Sequence, residues 1–156
     1  LWQRINLIRI EQFLSLYVIM TKEKKTFQQL TSENICEIYK LLHSEGLVSF
    51  PITPEAENKV DALVANVTGS SFGAQHYETT EEKVVAYLFF IIKAHAFTDG
   101  NKRTAVLSFL VLCKMNELVL ILDNYGLDAL AVYLEQLELP DHQKIIKSVS
   151  QLIFDE

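Results

Sequence analysis

Cysteine is nearly absent, and neither Cys36 nor Cys113 has a partner at CxxC spacing. Both fall where helical apolar periodicity would bury them, so the chain reads as a reduced, cytosolic protein that needs no disulfide framework. Glycine and proline are also scarce, at 5 and 3 residues, which excludes a collagen-like, low-complexity or disordered chain. Basic residues are outnumbered, 14 Lys and Arg against 20 Asp and Glu, for a formal charge of -6. That balance disfavours a nucleic-acid partner, which needs a basic surface to release phosphate counterions, so any phosphate bound must be held locally. No apolar run is long enough for a membrane. The most apolar stretch, LWQRINLIRIEQFLSLYVIM at the start, is interrupted by Arg4, Arg9 and Glu11, and reads as neither a span nor a signal peptide. No internal repeat is present.

What is present is ordinary for a globular protein: 156 residues, 49% apolar and 22% charged, enough for one domain with a sizeable core. We read residues 1–156 as that single domain. The chain opens at Leu1 rather than a methionine, which leaves room for a missing N-terminal region. Apolar spacing predicts a first helix from Ile5 to Met20, followed by a charged linker. Thr31 as N-cap and the stripe Ile35, Ile38, Tyr39 and Leu42 predict a second helix over 32–45, stopped at Gly46. Thr53-Pro54-Glu55 supplies a cap, a first-turn proline and an acid, predicting a third helix to Val67. The Gly/Ser-rich segment that follows suits a loop or short hairpin.

Thr79 and Glu82 form a capping box opening a helix that is apolar nearly all round and so belongs at the centre. It delivers His95. A loop over 97–102 then leads to a further apolar helix from 103 to about 116. Leu118–Leu122 reads as a strand or extended connection, broken by Asp123-Asn-Tyr-Gly126. Two amphipathic helices split at Pro140 complete the chain. The expected class is all-α, about seven helices around a central helix pair, with at most one small hairpin.

The stretch from His95 to Arg103, HAFTDGNKR, carries the chemistry. A turn feeding a helix start aims backbone N–H groups and the positive end of the helix dipole at an anion. Alone, His95 would be read as a core or capping residue. Beside a phosphate turn, a histidine is the usual general base for an attacking hydroxyl. Phe97 reads as the anchor that pins the loop. Asp99 would cap a helix or, next to phosphates, hold Mg²⁺, which takes one or two carboxylates plus substrate oxygens. Gly100 and Asn101 suit an anion nest, with Lys102 as a point charge and Arg103 as a bidentate phosphate ligand.

This stretch resembles the signature of the Fic/Doc family, HxFx(D/E)GNGR in Fic proteins and HxFxDANKR in Doc-type toxins. The resemblance reaches upstream through FGAQHY and the helix running from EEK to KAH, and covers residues 66–117. It implies the all-α Fic fold with a flap over the active loop, in which Ser70, Phe72 and Gly73 would contact the target. It implies transfer of a phosphate-containing group from ATP, with Mg²⁺, onto a Ser, Thr or Tyr hydroxyl of a target protein. In the family the group is usually AMP.

Three positions depart from the Fic pattern. Ala96 stands in place of the common proline. Lys102 occupies the second glycine's place, and Val106 the place where many AMP-transferring members carry another arginine. The latter two are Doc-like and favour phosphoryl transfer, whereas Gly100 follows Fic; AMP transfer stays open. Thr53-Pro-Glu-Ala-Glu57-Asn58 matches the family's inhibitory pattern (S/T)xxxE(G/N), making Glu57 a candidate partner of Arg103. The same residues are already explained as a helix start, and a separate antitoxin partner is an equal route to control. A catalytically silent binding module is the competing reading, which an intact His95 argues against.

Overall fold

The computed structural model describes Gln12, Ser15 and residues 26–71, 74–138 and 141–155. The helix expected from Ile5 to Met20 lies, apart from those two positions, outside the described residues. Six helices follow: α1 (Ser32–Ser44), α2 (Pro54–Thr68), α3 (Thr80–Ala94), α4 (Asn101–Met115), α5 (Asn124–Gln136) and α6 (His142–Leu152). Between α2 and α3, Ser70–Ser71 pairs antiparallel with Ala74–Gln75, with Ser70 opposite Gln75. The all-α expectation holds, with a hairpin of two residues per strand. No helix among the described residues is long and apolar enough to cross a membrane.

Side-chain caps set most of the boundaries, because each satisfies an orphan N–H of a first turn. The Thr31 hydroxyl accepts from Asn34 N–H at 3.1 Å while Asn34 Oδ1 accepts from Thr31 N–H at 3.0 Å. Thr53 and Thr79 cap α2 and α3 in the same way. The return arm at α3 differs from expectation, since Glu82 Oε2 accepts from Glu78 N–H rather than from Thr79. Asp123 reads in the sequence as part of a break; it is instead the N-cap of α5, accepting from Gly126 N–H at 2.8 Å. The helix therefore begins upstream of the glycine, whose missing side chain costs little in a first turn.

The central pair is α3 with α4. Val84 to Leu88 on α3 and Ala105, Phe109, Val111 and Leu112 on α4 are almost wholly excluded from solvent, and α1, α2, α5 and α6 pack around them. Two ties outside the helices hold this arrangement. Tyr87 Oη donates to Leu30 O at 2.7 Å in the core, and burial holds its pKa well above the ordinary phenol value. Residues 118–122 do not form a strand of their own but bridge the C-terminal end, with Leu120 opposite Phe154. Both cysteines are buried free thiols. Burial, with Glu57 adding to it, pushes Cys36 up to about 11, and burial pushes Cys113 up to about 12.

Candidate active site

At the end of α3 the chain turns sharply at His95, whose φ of 44° and ψ of 45° lie in the left-handed region. A non-glycine residue there carries strain on the order of 1–2 kcal/mol, and such strain tends to collect where a side chain must be aimed. The turn separates two environments. His95 is left exposed while Ala96 and Phe97 are buried, Phe97 stacking on Tyr39 with ring centroids 4.1 Å apart. Phe97 is thus the anchor expected of it.

Asn101 then closes the loop on itself. Its Oδ1 accepts from Phe97 N–H at 3.0 Å and its Nδ2 donates to Phe97 O at 2.7 Å. The side-chain amide is spent on loop shape, so what Asn101 has left to offer is its backbone N–H and not its side chain. Helix α4 starts at Asn101, two residues before the expected start at 103. The cause is Gly100, which acts as N-cap at φ 82° and brings no capping side chain, so the usual sequence signal for a helix start is missing. Asn101, Lys102 and Arg103 are therefore the first turn, and the first intrahelical bond runs from Thr104 N–H to Gly100 O. Their three N–H groups have no acceptor within the helix, and no side chain caps them.

A strap that sequence reasoning read only as a loop holds this turn from below. Arg103 Nη1 donates to Leu47 O, Ser49 N–H donates to Asp99 Oδ2 at 3.2 Å, and Val48 lies directly under Gly100. The strap itself is tied to α1 where Tyr39 Oη donates to Phe50 O at 2.7 Å. Burial, then the Asp99 carboxylate, raise the Tyr39 pKa above its ordinary value. Tyr39 and residues 47–49 thus contact Phe97, Asp99, Gly100 and Arg103 of the motif, yet only an apolar stripe marked Tyr39 in the sequence and nothing marked the strap.

Above the first turn of α4 lies a cleft of about 380 Å³. One wall is the motif from Thr98 to Arg103; the other is α5, contributing Asp128, Val132 and Glu135. Spacing of i, i+4 and i+7 puts these three on one stripe of the helix. Lys102 crosses between the walls, its Nζ 3.0 and 2.8 Å from the two Glu135 carboxylate oxygens. His95 is not part of the cleft lining; it stands three residues upstream of Thr98. Sequence reasoning missed Asp128 and Glu135, which read as the polar face of an amphipathic helix.

Asp99 has one oxygen engaged by Ser49 and borders the cleft. Among the described residues no cluster of three or more His, Cys, Asp or Glu forms a metal cage, but Mg²⁺ shared between one carboxylate and substrate phosphates needs none. The remaining candidates are dispersed. Ser70 lies in the hairpin, and Phe72 and Gly73 lie outside the described residues. Glu57 is exposed on α2 and acts electrostatically on Cys36; among the described residues no ion pair joins it to Arg103.

The sequence model of the Fic/DOC family matches residues 10–113, two thirds of the chain. The chain belongs to the Fic/DOC family. No curated protein and no solved structure matches it. The Fic/DOC match takes in the strap, α3, the motif turn and nearly all of α4, and ends before α5. The wall carrying Asp128 and Glu135 is thus outside the matched span. Members of the family are commonly enzymes that modify proteins, and the motif turn lies within its matched residues.

Proposed function

We propose that this chain transfers the γ-phosphoryl group of ATP to a Ser, Thr or Tyr hydroxyl of a target protein. The observation that carries the reading is the uncapped first turn of α4, open to a cleft and placed six residues after an exposed, strained His95. Three unpaired N–H groups and the helix dipole supply a fixed positive field for phosphate oxygens without reorganisation. Arg103, with one guanidinium nitrogen held by Leu47, adds a cation in a defined orientation. Asp99 would hold Mg²⁺, which when bound offsets phosphate charge. The target hydroxyl oxygen forms a bond to phosphorus as its proton passes to His95; the bond from phosphorus to the bridging oxygen breaks and ADP leaves.

Lys102 favours γ-phosphoryl over AMP transfer. Its side chain crosses the cleft to Glu135 and occupies space that a glycine would leave open beside Asn101. Gly100, the Fic-like residue, keeps AMP transfer as the second reading. The hairpin after Gly69 is the site we propose for the target segment, an extended chain adding to its edge. Control by a separate antitoxin fits better than control by Glu57, whose carboxylate makes no ion pair with Arg103 among the described residues.

Mass spectrometry of a lysate treated with the protein and Mg·ATP tests the reaction. A phosphate added to target hydroxyls supports the proposal, an AMP supports the second reading, and neither leaves a binding module. Calorimetry separates the roles of the site residues. Asp99→Ala is expected to weaken ATP binding only when Mg²⁺ is present, and Arg103→Ala to weaken it with or without metal, by roughly tenfold, as for a lost charge-assisted hydrogen bond. Equal affinity for both variants and the parent would put the phosphate site elsewhere.

A further inference from the structure

The contact between Lys102 and Glu135 has a consequence for the phosphate cleft. Both carboxylate oxygens lie on one ammonium, at 3.0 and 2.8 Å, as two oxygens of a bound phosphate would. Glu135 is also held in place from behind, since Lys93 Nζ donates to the carbonyls of Glu135 and Leu137. That ammonium satisfies carbonyls at the C-terminal end of α5 and suits the helix dipole there. The wall behind the pair repels phosphate. Between Lys114 and Lys144 the sequence holds no lysine or arginine, and the α5 stripe facing the cleft adds Asp128 to Glu135. A phosphate approaching Lys102 therefore meets a cation already neutralised, with a second carboxylate close by.

We infer that Glu135 is a built-in competitor for phosphate at Lys102, setting nucleotide affinity by having to be displaced when ATP binds. The inference rests on the phosphate site proposed at the first turn of α4. The lysine and glutamate side chains are 41% and 35% exposed, so water and salt weaken the pair and its contribution is that of a surface ion pair. The competition is a modest one. It is specific to Glu135, because Asp128 lines the same cleft without an ion pair to Lys102 among the described residues.

The test is calorimetric titration of Mg·ATP into the parent protein and into Glu135→Gln, Asp128→Asn, Lys102→Met and Lys102→Met/Glu135→Gln. Glutamine keeps the side-chain shape, and the residue 135 carbonyl remains available to Lys93, so the fold should be retained. Glu135→Gln is expected to bind up to about fivefold more tightly at low salt, the upper end for an exposed ion pair. That gain should shrink with added salt and vanish when made in the Lys102→Met background. Should Glu135→Gln leave affinity unchanged or lower it while Arg103→Ala weakens binding, the competition is wrong and the phosphate site stands. An equal gain in Asp128→Asn would assign the effect to overall cleft charge and overturn the pairing. Absence of ATP binding in both the parent and Glu135→Gln would remove the phosphate site and the inference together.

Discussion

Replacing His95 by asparagine is expected to lower group transfer by at least ~10²-fold, the low end for loss of a general base, while ATP affinity stays nearly unchanged. Asparagine tolerates the left-handed backbone better than most residues, so the turn at φ 44° should survive and the comparison isolates the imidazole. Binding should be spared because His95 lies outside the cleft lining, whereas the motif residues that line it run from Thr98 to Arg103. His95 is exposed, and no hydrogen bond ties its ring to another described residue, which leaves it free to meet a hydroxyl. Its position is set from the backbone: α3 is locked in the core on one side, and Phe97 is stacked on Tyr39 on the other. A variant retaining turnover within a few-fold of the parent, in a protein with unchanged melting, would remove His95 from the mechanism.

Gly100→Ala should have the largest effect on stability of any single change in the motif. A Cβ at this position would sit 2.2 Å from Val48 Cγ1 and 3.3 Å from Val48 Cβ, and Val48 is buried under the loop. Overpacking of this kind costs about 1–3 kcal/mol, and holding an alanine at φ 82° adds roughly 1–2 kcal/mol. Together these correspond to a fall in melting temperature of roughly 10 °C for a domain of this size. Phosphate binding should fall as well, because the alternative to strain is displacement of the strap that positions Asp99 and Arg103. Adding Val48→Ala should restore the packing share and leave the backbone share. Calorimetric melting of the single and double variants checks both. If Gly100→Ala melts with the parent, the strap is not packed as described.

Much of the fold was legible because Thr31, Thr53 and Thr79 are helix caps with local signals, and because the apolar run of α3 admits only a central position. The motif was legible for a similar reason: its residues are contiguous. What escaped reading depends on contacts distant in sequence or on backbone conformation. The start of α4 at Asn101 follows from a left-handed Gly100, which no capping side chain announces. Asp123 reads as a break because Gly126 follows it, although a glycine N–H serves a cap as well as any other. The strap at 47–50 acts through its backbone N–H and C=O groups and one buried methyl, and these carry no residue-type signature. Glu135 lies 33 positions from Lys102, and only the packing of α5 against α4 makes them neighbours.

Parallel incubations with ATP labelled at the α- or the γ-phosphate, each with a protein extract and Mg²⁺, separate phosphoryl transfer from AMP transfer. We expect γ-label alone to become bound to target hydroxyls, His95→Asn to abolish it, and Lys102→Gly to shift incorporation toward the α-label by opening the space beside Asn101. Stable incorporation of α-label by the unaltered protein would contradict the phosphoryl-transfer reading, and incorporation of neither label would contradict the transferase itself.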